Sequence, residues 1–165
     1  MRKPVFTDTL QVGFVVRDLD ASMKMYTDEY GIGPWQVVEF GTGDVDGRSE
    51  NTVKDDEPAT YAMRIAIADV GRVQWELIQP LDEKSNYAEF LAKHGEGVHH
   101  LQMAVESYDD AVADLRSRGH STLIGGTFNG VDLVYLSTDR DLGVITEIVD
   151  WPDQAGHEAD AGTGT

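Results

Sequence analysis

Apolar runs with period two alternate along the chain with runs at helical spacing, and the order in which they do so is written twice. LQVGFVV, at 10–16, is apolar and rich in β-formers and predicts a strand. RDLDASMKMYTDEYGIG then changes period: Leu19, Met23, Tyr26 and Tyr30 recur at three-to-four spacing, Asp18 or Asp20 can cap the first turn, and Gly31 stops the helix. WQVVEF (35–40) reads as a short strand, and ATYAMRIAIA (59–68) and RVQWELIQP (72–80) as two more, joined by a tight turn at 69–71. SNYAEFLAKHG predicts a helix with Tyr87, Phe90 and Leu91 on one side. From GVHHLQMAV the order restarts. SYDDAVADLRSRG is helical, with Tyr108, Val112 and Leu115 inward and Gly119 as its stop, and STLIGGTF, GVDLVYLST and LGVITEIVD are three further strands.

Strand–helix–three strands therefore occurs twice, as a repeat of architecture with weak residue identity. The fold class expected is α+β, with paired βαβββ modules curling into one barrel-like sheet. A single domain is expected over 1–153, with module one at about 9–80, a linking helix at 84–94 and module two at about 97–150. Residues 41–58, GTGDVDGRSENTVKDDEP, are polar, acidic and aperiodic, and predict a long loop that serves either as a lid or as a solvated insertion. The tail 154–165 has no apolar pattern and predicts disorder.

Composition narrows the chemistry. The chain has no cysteine, which excludes disulfides, thiolate metal sites and cysteine nucleophiles. No apolar run reaches membrane-spanning length and no hydrophobic stretch follows the basic start MRK, so a cytoplasmic protein without a signal peptide is expected. Thirteen basic against thirty acidic side chains give a formal charge of −17, which repels a nucleic-acid backbone and disfavours anionic membranes. A strongly anionic substrate is disfavoured too, unless a local basic patch receives it.

Four polar residues break the alternation expected of half-buried strands. Gln11 shares a strand face with Gly13 and Val15, and QVGFVV aligned with HLQMAV makes His100 its counterpart in the second module. His99 is one step out of phase, so strict alternation turns it to the opposite, packing side. Glu76 in VQWELI and Glu147 in GVITEIV are carboxylates among apolar neighbours, matched by repeat position. A buried carboxylate needs a partner. A metal ion supplies one for both. Oxygen donors with a single imidazole suit zinc, manganese, cobalt, nickel, iron or magnesium.

The stretches VGFVVRDLDASMKMYTDEYGIGPW, WELIQPLDEKSNYAEFLAKHGEGVHHLQMAV and GVITEIV resemble the vicinal oxygen chelate superfamily, which includes glyoxalases, methylmalonyl-CoA epimerases, extradiol dioxygenases and bleomycin-resistance proteins. The resemblance implies a paired βαβββ fold around a divalent metal and a homodimer. It places the metal ligands on Gln11, Glu76, His100 and Glu147. That set resembles the zinc site of animal-type glyoxalase I, whereas IQPLDEKSNYAEFLAKHGEGVHHL is closer to methylmalonyl-CoA epimerases. Two departures stand out. The additional third-strand glutamate of the epimerases is absent, with Met63 near its place, and the basic residues that hold glutathione in glyoxalase I are reduced to Arg64 and Arg72.

The function implied is that of a metal-dependent isomerase, epimerase or lyase removing a proton next to a carbonyl of a small-molecule substrate, with Glu147 as base and Glu76 second. Trp35, Tyr61, Met63, Trp75, Phe128 and Tyr135 are the expected pocket residues; if several face inward, the substrate is larger and more apolar than a two-carbon aldehyde adduct. A thioester, a glutathione adduct and a bulky ketone all remain open. The alternatives are a metal-free protein that sequesters a small hydrophobic compound, and ring-modifying lyase or dioxygenase chemistry on the same fold.

Overall fold

The computed structural model describes residues 3–41 and 49–152. The first module runs β1 (Asp8–Val15), α1 (Leu19–Tyr30), β2 (Gln36–Gly41), β3 (Ser49–Lys54), β4 (Glu57–Pro58), β5 (Ala62–Val70) and β6 (Val73–Pro80). After α2 (Asn86–His94), the second runs β7 (Gly97–Ala104), α3 (Tyr108–Ser117), β8 (Thr122–Phe128), β9 (Val131–Leu136), the short α4 (Asp139–Leu142) and β10 (Ile145–Val149). All the strands join one curved mixed sheet in the order β2-β5-β6-β1-β7-β10-β9-β8-β3-β4. The expected α+β class and paired modules are observed. The expected tail at 154–165 lies outside the described residues.

Local chemistry explains the helix ends. Asp18 accepts a hydrogen bond from the Ala21 amide and caps α1, and Gly31 closes it in a left-handed conformation. Ser85 and Ser107 cap α2 and α3 in the same way. Each strand then divides its side chains. Ala66 and Leu77 face outward to Val16 and Leu19, with Met23, Tyr26 and Trp35 packed against that core. Val134, Leu136 and Ile148 face outward to Ala111, Val112 and Leu115 of α3. The inward faces meet in a third cluster, with Val15, Met63, Ile65, Ile78, Ile124 and Tyr135, onto which α2 sets Tyr87.

The two modules join at an antiparallel seam between β1 and β7, each flanked by a parallel partner, β6 or β10. Across the seam Gln11 lies opposite Gln102 and Gly13 opposite His100. Beside it, Gln11 neighbours Gln74 and Gly13 neighbours Glu76, while His100 neighbours Ile145 and Gln102 neighbours Glu147. The pairings exchange under a pseudo-twofold axis that matches Gln11 with His100, Gly13 with Gln102, and Glu76 with Glu147. The alignment made from sequence is the one the register carries.

Two expectations change. The segment 41–58 is not a loop throughout: β3 and β4 form a small hairpin, and β3 crosses to the second module to pair with β8. The sequence hid this because Ser49–Lys54 has a single apolar residue, Val53, and is ordered by its partner strand. That partner carries Gly125 and Gly126. A Cβ on Gly126, whose φ is +149°, would lie 3.1 Å from the Glu50 carbonyl oxygen and the Thr52 Cα, so glycine permits the close approach. Residues 42–48 lie outside the described residues, and with them the rest of the expected loop. The second change is small: β5 begins at Ala62 and runs on to Val70, where Gly71 turns the hairpin.

Gly13 fixes how closely the seam closes. A Cβ there would lie 2.0 Å from His100 Cε1 and within 2.6 Å of both ring nitrogens, so the imidazole occupies the space that glycine leaves. Gly13→Ala is expected to destabilise the fold by about 1–3 kcal/mol through overpacking, read as a lower urea midpoint at unchanged m-value. An unchanged midpoint would show that the ring does not depend on that space.

Candidate active site

Strand alternation brings Gln11, Glu76, His100 and Glu147 to the concave face, and all four are buried, at 6%, 9%, 0% and 4% exposure. His100 Nε2 lies 3.5 Å from Glu76 Oε2 and 3.5 Å from Glu147 Oε2, so one imidazole sits between the symmetry-matched carboxylates. Tyr135 Oη is also 3.5 Å from the same nitrogen. Gln11 donates through Nε2 to Gln74 Oε1 at 2.6 Å, and Gln102 donates to Glu147 Oε2 at 3.1 Å. Among the described residues, no group of three His, Cys, Asp or Glu is arranged as a ready-made metal cage. His100 and its two carboxylates meet instead at ion-pair distances.

Sequence reasoning missed Gln74 and Gln102. The signal was available: each stands two residues from a site residue, in QWE and HLQ, and therefore on the same face.

His99 is a correction. The register slips between Gly13 and Phe14, where His100 pairs with Gly13 but Val98 pairs with Phe14, leaving His99 as the extra residue of a bulge. The bulge cancels strict alternation, and His99 does not turn to the side opposite His100. Its Nδ1 lies 3.2 Å from His100 Nδ1, and both rings contact Tyr87 and Tyr135. Burial and the neighbouring His100 push the His99 pKa down to about 3, so this ring is neutral at physiological pH.

The site opens into a cavity of about 250 Å³ whose lining includes Gln11, Glu76, Gln102 and Glu147. Of the expected pocket residues, Tyr61, Met63, Phe128 and Tyr135 line it. Trp35 and Trp75 do not. Trp75 packs at a tilt against Phe14 with ring centroids 4.9 Å apart, and Tyr26 of α1 stands between the two tryptophans at 6.1 and 5.9 Å. The reason is alternation once more: Glu76 points inward, so Trp75 beside it points outward.

Burial raises the Glu76 pKa from 4.5 to about 7, with His100 opposing the rise and Glu147 adding to it. Tyr61, Tyr87 and Tyr135 are pushed up as well, chiefly by burial, and remain neutral donors. A carboxyl whose folded pKa exceeds its unfolded value keeps a proton that the unfolded chain has already released. That stabilisation is complete below about pH 4.5 and is lost as the pH rises to about 7. Metal-free protein is therefore expected to lose about 3 kcal/mol from this group across that window, measured by urea denaturation in the presence of a chelator. Glu76→Gln should remove this component of the slope; an identical slope in the variant would contradict it.

A family profile, that of the Glyoxalase/Bleomycin resistance protein/Dioxygenase superfamily, matches residues 10–135. Among solved structures, methylmalonyl-CoA epimerase from Mycobacterium tuberculosis is 25% identical, with 94% of this chain and 95% of that one covered and a TM-score of 0.63. A variant of Streptomyces coelicolor methylmalonyl-CoA epimerase in complex with 2-nitronate-propionyl-CoA is 25% identical, with 87% and 96% covered and a TM-score of 0.59. A hypothetical protein from Bacillus halodurans, at 20% identity, 86% and 92% coverage and a TM-score of 0.58, shares the fold. No curated protein matches. The profile spans most of the chain and the sheet has the matching paired-module architecture: the protein belongs to the glyoxalase/bleomycin resistance protein/dioxygenase superfamily, the vicinal oxygen chelate group.

Proposed function

We propose that the protein is a divalent-metal-dependent enzyme of the isomerase or epimerase type, which removes and returns a proton next to the carbonyl of a small organic substrate. One observation carries this reading: two symmetry-matched carboxylates are buried in the lining of one cavity, with a single imidazole between them. Two buried carboxyl groups share one neighbouring imidazole, and a divalent cation is the counter-charge that such oxygen and imidazole donors accept. The likeness to methylmalonyl-CoA epimerases supports isomerase-type chemistry.

The donor set fits such an ion. Gln11 spends its amide N–H on Gln74 and so keeps its carbonyl oxygen as a neutral donor. Glu147 engages Gln102 through Oε2 and keeps Oε1. His100 can donate from Nδ1 to the neutral His99 and keep the Nε2 lone pair, the outer-shell arrangement that fixes a ligating histidine's tautomer. Gln11, Glu76, His100 and Glu147 would hold a divalent ion, and the chemistry it would supply is polarisation of a substrate carbonyl, which would acidify the neighbouring C–H.

The chain's own residues do the rest. Glu147 takes the α-proton onto its carboxylate, held in place by the hydrogen bond from Gln102. Glu76, whose proton affinity is raised towards neutrality, is the second carboxylate able to hold or return a proton. Tyr61, Tyr87 and Tyr135 wall off water and remain un-ionised beside the developing charge. A second reading, a metal-free protein that sequesters a hydrophobic compound, draws on the apolar walls and on the absence of a ready-made cage among the described residues.

Dialysis against zinc or manganese followed by elemental analysis separates the two: one tightly held equivalent per chain is expected, and none would overturn the enzymatic reading. Glu147→Gln should abolish both that equivalent and α-proton exchange. Gln102→Ala, which removes only the donor to Glu147, is expected to weaken metal binding by about 10- to 100-fold. Unchanged affinity in both variants would place the ion elsewhere.

A further inference from the structure

We infer that the substrate is a neutral carbonyl compound of about two rings, with an oxygen at the end remote from the carbonyl, rather than a coenzyme A thioester or a glutathione adduct. The inference rests on the proton-abstraction reading above and adds the substrate's chemical class.

Charge is the first ground. No Lys or Arg among the described residues lines the cavity, whose ionisable carboxylates are Glu76 and Glu147. Among the described residues, the cations nearest the lining in sequence are held elsewhere. Arg64 pairs with Asp20 of α1 at 3.0 Å, Arg72 with Asp8 at 2.9 Å, and Lys54 with Glu89 at 2.6 Å. A carboxylate carried on the substrate would enter beside two buried carboxylates and find no guanidinium or ammonium among the described lining residues to receive it. A phosphate-bearing carrier would also approach a chain of formal charge −17.

Shape and polarity are the second. The walls are apolar side chains such as Met63, Ile65, Ile67, Ile124, Leu133 and Phe128. An apolar cavity of about 150 Å³ holds one benzene ring, so the roughly 250 Å³ here accepts about two. Register gives the long axis. Glu147 lies beside Tyr135, which lies beside Ile124, whereas Ser49 lies beside Phe128, which lies beside Val131. The two levels are four residues apart along both β8 and β9, or about 13 Å at the rise of a strand. At the far level Ser49 lines the cavity, and its Oγ is buried with no hydrogen-bond partner among the described residues. A buried hydroxyl left unsatisfied is a place for a ligand oxygen. Ser49 belongs to β3, so the inserted strand brings this group to the cavity.

The test uses the zinc-loaded protein with four probes: β-tetralone, its ring-hydroxylated derivative, methylmalonyl-CoA and S-lactoylglutathione. Calorimetry reads binding, and proton NMR in deuterium oxide reads α-hydrogen exchange. Both ketones are expected to bind at least about tenfold tighter than either anionic probe and to exchange their α-hydrogens. Ser49→Ala should weaken the hydroxylated ketone by about tenfold, the loss of one hydrogen bond, and leave the parent ketone unchanged. Tighter binding of either anionic probe, or an equal effect of Ser49→Ala on both ketones, would overturn the inference. Exchange of the methylmalonyl-CoA α-hydrogen without ketone binding would overturn it while leaving the proposed proton chemistry standing. Ketone binding without exchange would do the reverse.

Discussion

The burial of Glu76 and Glu147 is the constraint around which the rest of the molecule is arranged. Taking two carboxylates out of water costs several kcal/mol each unless opposite charge and hydrogen bonds compensate. Here the compensation is one histidine ring, one glutamine and a raised proton affinity at Glu76. A fold selected for stability alone would place apolar side chains at these positions, as it does at Ile78 and Val149 on the same strand faces. Retaining two acids there is a cost that the proposed metal chemistry explains.

The seam between the modules delivers those groups with economy. A single antiparallel pairing of β1 with β7, and the parallel strand on either side, places the two acids at symmetry-related positions without any loop reaching across. Departures from symmetry are then informative. Where the second module has Gln102, the first has Gly13, and the missing side chain is the space that the His100 ring fills. Where the first module has Gln11, the second has His100. The modules share a backbone plan and differ where the ring must fit. The insertion between β2 and β5 adds a further asymmetry, since β3 leaves its own module and lines the cavity from the other one.

Much of this was legible in the sequence because period and parity are local properties. Helices with Asp18, Ser85 and Ser107 at their starts, strands with matched polar intrusions, and the correspondence of Gln11 with His100 needed only spacing. Parity applied more strictly would also have removed Trp75 from the pocket, since it neighbours Glu76, and added Gln74 and Gln102. Other features could not be read this way. The bulge at His99 depends on the opposing strand, and β3 is a strand because Gly125 and Gly126 admit its backbone, not because of its own composition. Those are non-local effects, invisible to any window along the chain.

The central claim is that one imidazole and an oxygen-rich set drawn from both modules hold one divalent ion. X-ray absorption spectroscopy of zinc-loaded protein tests it most directly. The account predicts a first shell of oxygen donors with a single histidine, and loss of the imidazole signal in His100→Ala but not in His99→Phe. A shell with two histidines, or one unaltered by His100→Ala, would contradict it.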